Sequence, residues 1–422
     1  MKWQPKMTPY SPVANQFAAF DINRASRYLE SNPQMEDKEC IVAIDRNAVQ
    51  NNLLAINSIS GSNKLCFVIK SDALGHGINH IVPLIMNMAD SYGITANDDA
   101  RSLRKIDDLS PLIRLVEPSS TMVRSQILDN LRVEELVGSI NKANMINEIA
   151  RNLKSSQVNV HISLDSGQLG RDGFSVSSDA NIKKSIRDIE SISRLSHIKI
   201  VGVCSHFSSP ESESTTELNK TAMRFIEVSR KIQQQLAINQ KQIPRLHMAA
   251  SEAALKISNE VKAQFDFIRV GRMLYGLLPQ NSLGSKITIP VMLIFCQKLG
   301  QHYRDRGDSI GYCKTYTCKK RELIKTLSLG WSMLPPGLLP ELDIYNSKGK
   351  LHKVCGYGAM NAIMTKSIDE EESQESHEKE LFLVSGRSTV SLTLLAQRSG
   401  YVPPTLTIMA GNNIRTGRIL LE

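Results

Sequence analysis

Leu65, Cys66, Phe67, Val68 and Ile69 stand directly before Lys70, and Ser71-Asp72-Ala73-Leu74-Gly75-His76-Gly77 follow at once. An apolar run of this length reads as a short buried strand. A lysine that closes it has two uses. Its stem can lie along apolar surface with the charge in water, the ordinary fate of a strand-end lysine. Held away from water, its pKa falls, and the neutral amine becomes a nucleophile able to form a Schiff base with an aldehyde.

Other residue types capable of chemistry also follow apolar runs. Asp165 leads into Ser166-Gly167-Gln168-Leu169-Gly170-Arg171-Asp172-Gly173-Phe174, a glycine-rich segment presenting an arginine. Ser205-His206-Phe207 ends another run, His247 precedes Ala250-Ser251-Glu252, and Arg269 precedes Gly271-Arg272. Taken singly, each has a bland reading: Arg171 as a loop charge, His206 and His247 as core histidines, Arg269 as a buried ion-pair partner.

The elements that must position them form a regular series. Apolar runs predict strands at 65–70, 91–96, 112–117, 134–139, 158–165, 199–206, 244–249 and 266–270, and helix-period segments lie between them. Eight parallel strands, each followed by a helix, close into a barrel. The rival is a doubly wound open sheet, but no Gly-x-Gly-x-x-Gly follows any strand. Beyond about residue 285, short runs separated by Gly, Pro and polar clusters read as a second, mostly β domain. The expected fold is α/β: a (β/α)8 TIM-type barrel followed by a mostly β C-terminal domain. Residues 1–38 read as an arm, 39–285 as the barrel with the strand Ile41–Asp45 leading into it, and 286–422 as the β domain.

In such a barrel, chemistry sits at the C-terminal ends of the strands, and phosphate is commonly held by the loops after strands seven and eight. Lys70, Asp165, His206, Ser251 and Arg269 all fall at that end. Ser251 and Gly271-Arg272 occupy the phosphate positions, where a hydroxyl and backbone N–H groups can face a dianion. A phosphate-bearing aldehyde with a ring nitrogen near a fixed cation is pyridoxal 5'-phosphate.

A chain of 422 residues is too long for one ordinary core, so two domains are expected. No apolar stretch approaches the roughly 20 residues of a membrane span. The start, Met1-Lys2-Trp3-Gln4-Pro5-Lys6, has no continuous apolar core of the secretory type, so the expected compartment is the cytoplasm. The seven cysteines are scattered, which reads as free thiols and no metal site. The net charge of +9 invites a nucleic-acid partner. Yet the densest basic stretch, Lys314 to Lys325, has no RNA-binding or finger pattern and reads as a solvated face. Asp369 to Glu380, rich in carboxylates and without an apolar residue, reads as a mobile surface loop.

On these motifs the chain resembles the alanine racemase family, including its broad-specificity amino-acid racemase branch. Val68 to Gly77 resembles the family's cofactor-lysine motif, V-K-A-N/D-A-Y-G-H-G. Asp165-Ser166-Gly167 through Arg171 and Gly173 resembles D-T-G-M-x-R-x-G with one extra residue, as in broad-specificity relatives. His247 to Ser251 resembles H-x-A-N-S, and Arg269 to Gly276 resembles R-x-G-x-x-x-Y-G. Ile310 to Thr317 resembles V-S-Y-G-A-T-Y-T, and Gly356 to Met364 is a worn copy of G-R-V-x-M-D-x-x-M.

The resemblance implies a pyridoxal-phosphate-dependent racemase of amino acids, alanine first, working with two bases: Lys70, which also holds the cofactor, and Tyr312. It implies cofactor contacts from Arg171, His206, Ser251, Arg269, Gly271 and Arg272, with Arg269 facing the pyridine nitrogen and His206 supporting it. Arg171 and Met360 are the implied substrate contacts. A homodimer is implied, with Tyr312 reaching the partner's site.

The chain departs from the family pattern at several positions. Leu74 replaces the motif tyrosine, Ala250 the asparagine before Ser251, and Asn361 the aspartate after Met360. Ser163 stands where some relatives carbamylate a lysine, and Gly330-Trp331-Ser332-Met333-Leu334 replaces G-Y-A-D-G. The alternatives are a degenerate racemase or carrier that binds pyridoxal phosphate without racemising, and a barrel-type decarboxylase. The latter would carry a cysteine next to an acidic residue in the second domain, whereas Cys355 is followed by Gly356-Tyr357.

Overall fold

The computed structural model describes residues 12–35, 38–165, 172–237, 243–279, 282–368, 380–386, 391–413 and 415–422. They form two compact units, one of Val49–Thr288 and one of Met1–Ala48 with Ile289–Glu422.

In the first unit, strands Lys64–Val68, Ser91–Ile94, Leu112–Arg114, Val133–Val137, Val158–Asp165, Ile198–Cys204, Arg245–His247 and Phe267–Val270 run parallel in chain order. The last pairs with the first, Phe267 opposite Lys64 through Val270 opposite Phe67. Asp266 N donates to Leu246 O at 2.9 Å and Arg269 N to Ala249 O at 3.1 Å, which joins strands seven and eight and closes the barrel. Strands such as Ile198–Cys204 are buried along almost their whole length. That is why they read as continuous apolar runs rather than as alternation. The helices between them open on serines: the Oγ atoms of Ser119, Ser139 and Ser178 accept the N–H of Met122, Lys142 and Asn181 at 3.3, 3.2 and 3.3 Å. After the eighth strand the described residues of this unit contain no α-helix. The helix Arg46–Ser60, which precedes the first strand, packs there instead, with Asn52 Nδ2 donating to Leu274 O at 2.9 Å.

The barrel wall carries buried charge on both faces, because Glu134 and Glu135 are consecutive on one strand. Arg114 and Glu135 are both fully buried, with Arg114 Nε 2.6 Å and one terminal nitrogen 3.2 Å from the carboxylate oxygens. Asn97 Oδ1 and Thr95 O take two more Arg114 donors at 2.6 and 2.8 Å. His161 stands between Glu134 Oε2, 2.7 Å from its Nε2, and His247 Nε2, 2.9 Å from its Nδ1. Arg245 also bonds Glu134, and the His247 ring stacks on Phe267 at 4.3 Å.

In the second unit the long strand Met292–Arg304 pairs with Leu381–Ser385 and with Glu322–Leu327. The path from Glu322–Leu327 through Ile363–Ser367, Leu351–Val354 and Asp343–Asn346 to Leu381–Ser385 completes a small closed antiparallel sheet. Here the observed fold departs from expectation. Cys40–Asp45 does not enter the (β/α)8 barrel: it pairs antiparallel with Met292–Cys296 and parallel with Thr416–Leu421. An apolar run signals burial but not the sheet that supplies it. The segment expected as an arm contains the helix Pro12–Glu30, and Ala18, Ile22, Ala25 and Leu29 pack its apolar face on Ile41, Phe295, Leu383 and Ile419. The acidic segment from Asp369 lies outside the described residues except for Glu380, which sits 3.4 Å from both Lys298 and Lys325. No helix of the described residues is long and apolar enough to cross a membrane.

Candidate active site

The first barrel strand ends at Val68, and Lys70 opens a turn of unusual hand. Ser71, Asp72, Ala73 and Leu74 have φ of 55°, 53°, 56° and 53°, the left-handed region. Each L-residue there costs about 1–2 kcal/mol relative to the right-handed form, so the turn needs outside support. Glycines at 75 and 77, with φ of 85° and 91°, continue it at no steric cost. Gly75 N donates to Ser71 O at 3.0 Å, and Asp72 Oδ1 accepts from Ile78 N at 2.7 Å. The carboxylate of Asp99, just past the second strand, accepts from Ser71 N at 3.3 Å and Asp72 N at 3.0 Å. The chain just ahead of Lys70 is pinned as well: Ile69 N donates to Gly93 O at 2.9 Å, and buried Tyr275 donates its hydroxyl to Val68 O at 3.0 Å. Burial pushes the Tyr275 phenol far above its usual range, with Asp72 and Asp99 adding to the effect, so it stays a donor.

Arg269 rises from the eighth strand, neighbour of the first. It is 8% exposed, and one guanidinium nitrogen lies 2.6 Å from Ser205 O, 2.7 Å from Met248 O and 3.2 Å from His206 Nδ1. The two carbonyls match the two N–H protons of that nitrogen, and the His206 ring lies beside them. Ser251, past the seventh strand, accepts Gly271 N at 3.2 Å and Met273 N at 3.3 Å. Its oxygen is held by two N–H groups, and its own proton remains available to an anion. The Arg272 guanidinium is turned to Glu211 in an ion pair, so what it can offer an anion is its backbone N–H. Strands seven, eight and one are consecutive around the barrel, so Ser251, Gly271, Arg269 and Lys70 come from adjacent strand ends.

Arg171 lies outside the described residues. At the exit of its loop, Ser163 Oγ donates to Asp172 O at 3.1 Å. His247 is not at this end: it is fully buried against His161, and burial holds it well below the usual histidine range.

In the second unit Tyr312 caps a hairpin in which Ser309 faces Thr317 and Ile310 faces Tyr316. A Cβ on Gly311 would come within 2.7 Å of Tyr357 O, so only glycine permits this approach. Tyr312 N donates to Tyr357 O at 3.3 Å, and Thr315 Oγ1 accepts from Tyr357 N at 2.8 Å. The two hairpin tyrosines differ. Tyr316 is bonded to Glu322 and Lys366, both at 2.5 Å, whereas Tyr312 is 65% exposed. Met360 is exposed on the loop whose carbonyls at Ala359 and Met360 accept the N–H groups of Trp331 and Ser332 at 3.2 and 3.0 Å.

Sequence reasoning missed Asp99 and the Glu134–His161 pair, and it quoted Tyr275 within the Arg269–Gly276 motif without giving it a role. Their signal is polar residues within or just past apolar strands, as in Val133-Glu134-Glu135-Leu136 and Val160-His161-Ile162.

Comparison with known proteins shows the family and the fold. The alanine racemase N-terminal domain pattern matches residues 44–279. The chain is 24% identical over 372 residues to a lysine racemase of Proteus mirabilis, covering 88% of this chain and 87% of that one. It is 25% identical over 391 residues to a broad specificity amino-acid racemase of Vibrio parahaemolyticus, covering 92% and 91%. It is 30% identical over 365 residues to an alanine racemase of Methylacidiphilum infernorum, covering 85% and 87%. Among solved structures, alanine racemase of Clostridium difficile superposes with a TM-score of 0.78 at 22% identity, covering 91% of this chain and 96% of that one. The Bartonella henselae alanine racemase with covalently bound pyridoxal phosphate superposes with a TM-score of 0.73 at 16% identity, covering 90% and 99%. This chain is a racemase of the alanine racemase family.

Proposed function

We propose that the protein interconverts L- and D-amino acids, alanine foremost, with pyridoxal 5'-phosphate as cofactor and with Lys70 and Tyr312 as opposed bases. The observation that carries this reading is the set of adjacent strand ends holding an amine, a buried guanidinium, a hydroxyl and backbone donors.

The donor set suits the cofactor. Ser251 Oγ and the N–H groups around Gly271 and Arg272 would hold the phosphate, and Lys70 would hold the aldehyde carbon. Arg269, a permanent cation anchored on two carbonyls beside His206, would face the pyridine nitrogen and disfavour its protonation. The bound cofactor supplies electron withdrawal that makes the substrate Cα–H bond acidic. Lys70 takes or returns the α-proton on one face, and Tyr312 serves the other. Arg171 and Met360 are the proposed substrate contacts.

The active species in this reading is a homodimer in which Tyr312 of each protomer serves the partner's Lys70. Tyr312, Tyr357, Met360 and Trp331 are 65%, 54%, 49% and 41% exposed, and backbone bonds link their loops. A cluster of large exposed apolar groups is a surface that a second copy would cover.

A broader substrate range is the second reading. It is favoured by the lysine and broad-specificity racemases that match along 88% and 92% of this chain. Screening L-amino acids for α-proton exchange in deuterated water, with cofactor added, tests both. Exchange with inversion for alanine supports the first reading, and faster inversion of lysine or other long substrates supports the second. Carbon dioxide release without inversion would contradict both.

A further inference from the structure

We propose that Asp99 is a positioning residue for Lys70: its carboxylate clamps the left-handed turn Ser71–Leu74 and so fixes the direction in which the lysine amine is presented. The inference rests on Lys70 holding the cofactor, as proposed above.

Asp99 is 6% exposed and belongs to the helix Asn97–Arg104, which follows the second barrel strand. One oxygen accepts from Asp72 N at 3.0 Å, and the other from Ser71 N at 3.3 Å and Ala96 N at 3.4 Å. The carboxylate thus ties the turn after strand one to the loop after strand two. A buried carboxylate is costly by itself, and burial raises the Asp99 pKa while these backbone N–H groups oppose the rise. The residue is therefore placed for the amides it accepts. Those amides open a run of four non-glycine residues in left-handed backbone, the part of the molecule that most needs holding. Both oxygens are used, so asparagine cannot replace it: its NH2 would meet an N–H. Asp72 does not compete, because its carboxylate oxygen is turned to Ile78 N at 2.7 Å. On the far side of the turn His76, fully buried, places Nδ1 3.0 Å from Ala73 O and 3.2 Å from Leu74 O. Asp99 and His76 hold the two ends of the turn, one by its N–H groups and the other by its carbonyls.

The test compares wild type, Asp99→Asn and Asp99→Asn/Ala73→Gly. Hydrogen exchange of residues 70–78 is measured on cofactor-free protein, and kcat and KM on loaded protein. Loss of the clamp should speed exchange there and lower kcat, each about tenfold, with KM nearly unchanged. Ala73→Gly, which removes the penalty of the left-handed conformation, should bring kcat back to within about threefold of wild type. Wild-type exchange and kcat in Asp99→Asn would overturn the proposal, as would a kcat loss that Ala73→Gly leaves uncorrected. If Asp99→Asn does not fold, the double variant decides: folded, active protein supports the clamp, and failure to fold counts against it. A wild type that binds no cofactor at Lys70 would defeat the reading of the site, yet exchange in the cofactor-free variants would still judge the clamp.

Discussion

Inside the barrel, His161 Nδ1 lies 2.9 Å from His247 Nε2, and the pair has one consistent protonation pattern. Glu134 can only accept, so His161 carries its proton on Nε2. Its Nδ1 then accepts from His247 Nε2–H, which leaves His247 Nδ1 bare and without a partner among the described residues. Both rings are neutral. Burial, the largest cause, lowers both pKa values, and for His161 the Glu134 hydrogen bond opposes it only in part.

A stability profile against pH follows. Below about pH 6.5 the unfolded histidines bind protons that the native ones refuse, so the unfolded state gains and stability falls with falling pH. A ring that stayed neutral throughout would contribute about 1 kcal/mol of loss between pH 7 and 5.5, which is the upper limit for each. Urea midpoints across that range measure it. His247→Gln keeps a donor for His161 and cannot titrate, so it should roughly halve the histidine part of the slope. An unchanged slope would contradict the assignment.

The Arg114–Glu135 pair gives a different signature. Both side chains are fully buried, and burial pushes the Glu135 carboxyl up while Arg114 opposes it. Arg114→Met should destabilise by about 3–5 kcal/mol, because it leaves a buried carboxylate without its partner. Arg114→Met with Glu135→Leu should cost clearly less than the single change. Denaturation midpoints at neutral pH decide, and equal losses would mean that the pair is not coupled.

Lys70 is expected to hold the cofactor covalently. Loaded wild type should absorb in the near-visible, and borohydride should fix the cofactor to a peptide containing Lys70. Lys70→Ala should lose both signals. Their persistence would place the attachment elsewhere.

The barrel strands were legible because strands buried on both faces leave mostly apolar runs, as Lys64–Val68 and Ile198–Cys204 do, even where Glu134, Glu135 and His161 interrupt the apolar residues of Val133–Val137 and Val158–Asp165. The strand Cys40–Asp45 was legible as a strand but not by its sheet, since its partners, Met292–Cys296 and Thr416–Leu421, lie some 250 to 380 residues away. At the candidate site, the residue types around Lys70, Ser251 and Arg269 announced themselves by following strands. The left-handed hand of Ser71 to Leu74 did not, because none of these residues requires it and only Gly75 and Gly77 hint at it. His161 and Glu135 were hidden for a related reason. A charge in a strand names its partner only when the neighbouring strand's register is known.

The central claim is a two-base racemase whose sites are shared between protomers, and mixing two inactive variants tests it most directly. Lys70→Ala and Tyr312→Phe should each be inactive alone. After subunit exchange about half the dimers are mixed, each with one doubly defective site and one intact site, so activity should approach roughly a quarter of wild type. No recovery despite demonstrated exchange would mean that both bases come from one chain, and the shared-site account would be wrong.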